Sequence, residues 1–405
     1  MDRKTIQEAH EKYYPEYDAK FKDMKIETQC IHTGQNPDWT FGAINVPIYA
    51  SSTFEFPKAG EPMGKWCYSR LFNPTKLALE RLLAQIEGGK NCLIFSAGLA
   101  AITSVIELVK PGEEIISIDD LYGGTQNNLR DIMIKQHGVK VTFFDFKDIS
   151  KFKPLLNPNV KMVYLESPTN PNMTIVDVAE VAKITKEFNK DILVVVDNTF
   201  LSPYNFKPLE HGADICVESC TKYINGHSDT VMGAVITKSD QLYEALHNYQ
   251  IFAGTIPSPF DCFLCIRGIK TLPLRVERIN YNGLEVAKFL SKHKNVELVK
   301  YPGLETDPYH AIAKKYFKGC GGVVTFILKG GIEKSKKFLE KIKLFHCAVS
   351  LGSVESLAEH PATMTHQCIP AEVRKKLGIE DGLIRLAVGI EHIDDILADL
   401  AQALE

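Results

Sequence analysis

The sequence predicts an α/β protein: an open, mostly parallel sheet of seven strands, followed by a smaller α+β unit. Seven short apolar runs, NCLIF, EEIISI, VKVTFF, KMVYL, ILVVV, DICV and GAVI, alternate with helical segments between residues 91 and 236. Runs without polar alternation read as parallel strands covered on both faces. With 405 residues the chain also exceeds the size at which a single hydrophobic core usually stops growing. After about residue 270 the pattern changes, and a long helical stretch precedes the runs VVTFIL and LIRLAV. These observations divide the chain into an arm over 1–70, a large domain over 71–270 and a smaller domain over 271–405.

Each element has its own signal. Residues 1 to about 70 lack steady periodicity and carry proline at 15, 37, 47, 57 and 62, which predicts an extended arm after a charged N-terminal helix. LALERLLAQIEGG is amphipathic and stops at Gly88-Gly89. In the last third, VERINYNGLEVAKFLSKH, EKSKKFLEKIKLF and IDDILADLAQALE read as helices. The lysines between 334 and 343 form a solvated face, because Phe338, Leu339 and Ile342 supply a packing stripe.

Composition excludes several function classes. With 47 basic against 50 acidic residues, no global field attracts nucleic acid or an anionic membrane. No apolar stretch reaches bilayer length, and the charged start MDRKTIQEAHEKYY is unlike a signal peptide, so a cytoplasmic location is expected. Ten cysteines at low density, mostly in apolar segments, predict buried reduced thiols. Cys262 and Cys265 form a C-x-x-C on one helical face, but no second pair stands at zinc spacing. Packing explains them better, and neither a metal nor a redox role is assigned.

In an open α/β sheet, ligands bind beyond the carboxyl ends of the strands. Asp197 ends ILVVV, where burial is costly unless a cation faces it; a helix N-cap is the equally weighted alternative. A protonated pyridine nitrogen would be such a cation. Lys222 follows DICV in SCTKYINGH, one strand beyond Asp197, flanked by the hydroxyls of Ser219 and Thr221. Desolvation beside other cations makes such a lysine nucleophilic toward a carbonyl, while the hydroxyls hold a phosphate. Gly98 and Leu99 open a helix directly after NCLIF, so their backbone N–H groups can cradle that phosphate, although small residues also serve packing there. Tyr122, after EEIISI, can stack on a flat ligand or plug the sheet top.

These elements, in this order, resemble the cysteine and methionine metabolism family of fold type I pyridoxal phosphate enzymes. The similarity runs from about residue 25 to the C-terminus and rests on YSRLFNPT, DDLYGGT, ESPTNP, VVDNTF, SCTKYINGHSD, SLGSVESL and LIRLAVGIE. The resemblance implies pyridoxal 5'-phosphate on Lys222 as a Schiff base, Asp197 against the pyridine nitrogen and Tyr122 stacked on the ring. It implies a phosphate held by Gly98, Leu99, Ser219 and Thr221, together with Tyr68 and Arg70 from a neighbouring subunit. Asn170 would lie near the phenolic oxygen, Arg385 would clamp the substrate carboxylate, and Ser350 would position Lys222. The arm would then complete a second chain's site, in dimers that pair into a homotetramer.

The implied activity is α,γ-elimination of a sulfur amino acid, with Lys222 moving the Cα proton and Tyr122 the candidate acid for the departing sulfur. Overall wording, including KYINGHSD and ESLAEHPA, is most similar to the cystathionine γ-lyases of the family. Three positions that usually carry charge there, to hold the far end of cystathionine, are Cys67, Asn127 and Val349 here. Val349 resembles the methionine γ-lyases, yet their reactive cysteine is replaced by Gly124. Cystathionine therefore leads, methionine follows, and γ-replacement of the synthase type comes third. A binding protein on a degenerate fold would lack one of Lys222, Asp197 or Arg385, and FSAGLAA lacks the spacing of a nicotinamide fingerprint.

Overall fold

The helix Pro74–Ile86 starts three residues before its apolar periodicity, because the Asn73 side chain accepts the N–H groups of Thr75 and Lys76 and proline fills the first turn. Its buried face, Leu79, Leu82, Leu83 and Ile86, packs on the adjacent sheet; each such side chain contributes about 1.5–3 kcal/mol. The computed structural model describes residues 14–38, 40–367, 372, 374 and 377–405. Most of the charged N-terminal helix expected above lies outside these residues; 14–19 are helical.

All seven apolar runs are strands: β1 (Asn91–Phe95), β2 (Glu114–Ile118), β3 (Lys140–Phe144), β4 (Val160–Glu166), β5 (Leu193–Asp197), β6 (Ile215–Glu218) and β7 (Gly233–Thr237). They form one sheet in the order β1-β7-β6-β5-β4-β2-β3. Only β7 runs against the others, pairing antiparallel with β1 and β6. The other six strands therefore point their carboxyl ends at one edge.

A second sheet has the order β10-β11-β12-β9-β8, from β8 (Val296–Lys300), β9 (Val323–Leu328), β10 (His346–Cys347), β11 (Leu357–Glu359) and β12 (Leu383–Ala387). β9 and β12 match the runs VVTFIL and LIRLAV. β8, β10 and β11 escape the sequence pattern because they are short or half-exposed. The helix Leu272–Ser291 joins the two parts: Val276 and Ile279 pack in the core of the large sheet, and Val286, Ala287 and Leu290 in that of the small one.

The expected packing role of Cys262 and Cys265 holds, since both are buried on the helix Pro259–Ile269. The described cysteines are unpaired, and Cys347 among them is exposed. No helix among the described residues is long and apolar enough to cross a membrane.

Arg275, buried on the helix Leu272–Ser291, donates to the carbonyls of Tyr223 (2.8 Å), Ile224 (3.2 Å) and Gly268 (2.9 Å). Two of these carbonyls belong to the residues that follow Lys222. Arg275→Met removes the donors and strands the carbonyls, so stability should fall by about 2–4 kcal/mol in urea unfolding. A midpoint equal to that of the unmodified chain would contradict this account.

Candidate active site

The carboxyl edge of the large sheet opens into a cavity of ≈ 450 Å³. β1 leads into Gly98 and Leu99, β2 into Tyr122, β4 into Glu166 and Asn170, β5 into Asp197, and β6 into Ser219, Thr221 and Lys222. The small sheet supplies Arg385 from β12, while Val349 and Ser350 enter from the loop after β10. Chain segments more than 280 residues apart in sequence thus share one pocket.

Lys222 is the reactive candidate. Its Nζ donates to Ser350 Oγ at 2.7 Å. Burial, and then the Arg385 guanidinium, push its pKa down to about 8, against the smaller opposing pull of Glu359. Far more of the amine is therefore neutral, and nucleophilic, near physiological pH than in an ordinary lysine. Ser350 has φ +126°, a strained conformation for a residue with a side chain, of the kind that costs about 1–3 kcal/mol and gathers at functional sites. That backbone turns the hydroxyl toward Lys222 and the carbonyl toward Arg385 Nη2 at 2.8 Å.

Arg385 is 3% exposed and makes an ion pair with Glu359 at 3.0 Å. The two are directly opposed across the antiparallel pair β11·β12. Arg385 Nη1 also donates to Asn170 Oδ1 at 2.9 Å, whereas Nε is buried with no protein acceptor among the described residues. The unpaired Nε leaves the guanidinium a further donor, and arginine is the side chain suited to binding a carboxylate through two parallel bonds.

Asp197 is buried and accepts the Thr199 N–H at 3.0 Å. Burial raises its pKa, and no cation among the described residues offsets that burial. A group bearing a protonated ring nitrogen fits this carboxylate. At the other end, a Cβ on Gly98 would lie 2.8 Å from Ser219 Oγ, so only glycine lets helix and hydroxyl approach this closely. The helix Gly98–Ile106 has no side-chain cap, leaving its first N–H groups available for a phosphate. The residues present therefore fit pyridoxal phosphate at both ends.

Some expected residues stand differently. The Thr221 hydroxyl lines the pocket but exchanges hydrogen bonds with the backbone of Met232, donating at 3.1 Å and accepting at 2.9 Å. Tyr122 is half-exposed, and a Cβ on Gly124 would fall 2.5 Å from its ring. Glycine at 124 is thus what admits the ring. Cys67, Tyr68 and Arg70 lie on the arm and do not reach this chain's own pocket; the Arg70 guanidinium sits 5.6 Å from the Tyr68 ring centre. Asn127 ends the helix Gly123–Asn127, exposed and outside the lining.

Sequence reasoning passed over Glu166 and Glu359. Both sit inside the motifs ESPTNP and ESLAEHPA, and Glu166 ends an apolar run just as Asp197 does. That signal was present for Glu166, whereas the cross-strand pairing of Glu359 with Arg385 had none. Thr199, whose hydroxyl accepts the Ser219 N–H at 2.9 Å, and Thr365, which donates to Glu359 at 3.2 Å, complete the support.

A mostly parallel seven-stranded sheet, a second smaller sheet and a half-buried lysine at the carboxyl edge define the class, an enzyme of fold type I. The chain belongs to the Cys/Met metabolism PLP-dependent enzyme family, whose model matches residues 27–405. It is 48% identical over 383 residues to a cystathionine gamma-lyase of Dictyostelium discoideum, covering 95% of this chain and 98% of that one. Among solved structures, metB from Corynebacterium glutamicum matches with a TM-score of 0.91 and 42% identity, over 94% of this chain and 98% of its own. Cystathionine gamma-lyase from Lactobacillus plantarum, complexed with L-serine, matches at 0.90 and 41%, over 94% and 98%.

The charge of Arg385 disfavours the ammonium form of Lys222. In Arg385→Gln that charge is gone while Glu359 remains, so the Lys222 pKa should move up from about 8 and the neutral fraction at a given pH should fall. The pH profile of amine modification at Lys222, read by mass spectrometry, checks this. A profile that stays in place would mean burial alone sets the value.

Proposed function

We propose that the chain holds pyridoxal 5'-phosphate on Lys222 and catalyses α,γ-elimination of a sulfur amino acid, with L-cystathionine as the leading substrate and cysteine, 2-oxobutanoate and ammonia as products. The observation that carries this reading is the convergence of Lys222, Asp197, the Gly98 helix start and Arg385, with its unpaired Nε, in one pocket. Membership of the family, and relatives named as cystathionine gamma-lyases, support the same chemistry.

Pyridoxal phosphate, when bound, supplies an electron sink for the pair released as the Cα proton leaves. Asp197 stays ionised against the ring nitrogen, and Ser219 with the N–H groups of Gly98 and Leu99 holds the phosphate; Thr221 contributes to its wall. Arg385 takes the substrate carboxylate, placing Cα beside Lys222. Neutral Nζ accepts the Cα proton, and Ser350 Oγ keeps the amine oriented in the meantime. Tyr122, half-exposed at the mouth, would protonate the departing sulfur.

The arm supports sharing of sites between subunits. Phe41 and Ile44 are 90% and 79% exposed, and Tyr68 is 44% exposed. Apolar exposure of this kind on an extended arm favours a second copy, to whose phosphate Tyr68 and Arg70 would reach. A homotetramer built from such dimers completes the proposal.

One observation favours a second substrate. Val349 lines the pocket with 54% of its surface exposed, offering an apolar contact where the charged far end of cystathionine would need a partner. A methyl thioether such as methionine suits that contact.

Lys222→Ala should remove the visible Schiff-base band and reduce turnover by at least about 10³-fold; retained turnover would sink the lysine assignment. The substrate is settled by 2-oxobutanoate release from L-cystathionine, L-methionine, and O-acetylhomoserine with cysteine, the last scored for cystathionine as well. Cystathionine should give the highest kcat/KM. A preference for methionine would place the specificity at Val349, Cys67 and Asn127, and net cystathionine synthesis would make replacement the main reaction.

A further inference from the structure

Glu166, the last residue of β4, lines the pocket and is only 4% exposed, and each of its oxygens accepts a backbone N–H. Oε2 accepts the backbone N–H of Tyr122 at 2.9 Å, and Oε1 that of Asn170 at 3.0 Å. Tyr122 comes from the loop after β2, 44 residues earlier in the chain; Asn170 lies on the loop that leaves β4. One carboxyl thus joins the loop carrying the aromatic ring to the loop whose Asn170 Oδ1 accepts from Arg385 Nη1 at 2.9 Å.

We propose that Glu166 is a positioning residue whose two backbone hydrogen bonds set Tyr122 and Asn170 relative to each other, and so align the ring face of the site with the carboxylate clamp. The inference rests on the reading of the pocket as a pyridoxal phosphate site. With a backbone N–H on each oxygen, Glu166 acts through its neighbours. The titratable groups facing it are Asp197 on β5, beside it in register, Tyr164 on β4, Asp120 before Tyr122, and Arg385 on β12. Both burial and Asp197 push the Glu166 carboxyl well above its ordinary range.

The test compares Glu166→Gln and Glu166→Asp with Asp399→Asn. Asp399 also accepts backbone N–H groups, from Lys343, Leu344 and Phe345, but on the C-terminal helix Ile393–Leu404 and away from the pocket. An amide at 166 accepts one N–H and confronts the other with its own hydrogens. An aspartate falls short by about 1.5 Å and reaches only one. In the holoenzyme, the pH midpoint of the Schiff-base absorption should move by about one unit in Glu166→Gln, because Asn170 shifts near the phenolic oxygen. With a displacement of about 1 Å, kcat should fall by up to about 10²-fold. Glu166→Asp should lie between this variant and the parent in both readouts. Asp399→Asn should lower the melting temperature and leave midpoint and kcat in place.

If Glu166→Gln and Glu166→Asp lose stability as Asp399→Asn does, while midpoint and kcat match the parent, Glu166 is only structural and the inference is overturned. Should Glu166→Gln fail to fold, a parental midpoint and kcat in Glu166→Asp overturns it equally. A parent protein that forms no Schiff-base band overturns the reading of the pocket, and this inference with it.

Discussion

The guanidinium of Arg385 ties the two halves of the molecule together at the site. From β12 of the small sheet it reaches Glu359 at 3.0 Å, Asn170 on the large sheet's edge at 2.9 Å, and the Ser350 carbonyl at 2.8 Å. A fully buried charge is tolerated only when paired and hydrogen-bonded, and removing one partner of such a pair typically costs about 3–5 kcal/mol. Glu359 supplies the compensating charge, Asn170 and Ser350 supply polar contacts, and Nε remains for a ligand. That the same cation lowers the Lys222 pKa follows from its position. The group that keeps an unpaired donor thus also adds to the lowering of the lysine pKa that burial begins. A carboxylate docked on Arg385 would screen its charge and let the lysine hold a proton more readily, which is the direction an amine needs in order to accept one from Cα.

The sheet topology explains why so many functional groups converge. Six of seven strands share a direction, so β1, β2, β4, β5 and β6 all deliver their following residues to the same edge. The reversed strand β7 sits between β1 and β6 and closes the gap between the helix start at Gly98 and the loop that carries Lys222. It also brings Met232 beside Thr221, whose hydroxyl is held by that residue's backbone. Behind the loop, Arg275 holds the carbonyls of Tyr223 and Ile224, so the lysine stands on a backbone fixed from below as well as from the side. Rigid support of this kind keeps the reactive amine in place without help from a ligand.

Buried carboxyl groups recur along this edge: Glu166, Asp197 and, across the interface, Glu359. Burial raises the pKa of all three, yet their surroundings assign them different tasks. Glu359 faces a cation of the chain itself. Asp197 faces none among the described residues and is suited to one brought by a ligand. Glu166 faces two backbone N–H groups and belongs to the scaffold. A residue type visible in the sequence thus takes three roles according to what lies opposite.

The sequence by itself determined the strands of the large sheet, because strands covered largely on both faces are mostly apolar and so leave near-continuous runs. It also determined which residue types stand at the strand ends, and the motifs around Lys222, Asp197 and Arg385 carried the family resemblance. β8, β10 and β11 left no such trace, since short or half-exposed strands need no continuous apolar pattern. Only the tertiary structure decided the direction of β7, the commitment of Thr221 to Met232, the pairing of Glu359 with Arg385, and the two hydrogen bonds of Glu166. Each depends on contacts between segments far apart in the chain, and linear order does not encode distance in space. Local patterns reveal what a residue is able to do; its neighbours in the folded chain settle what it does.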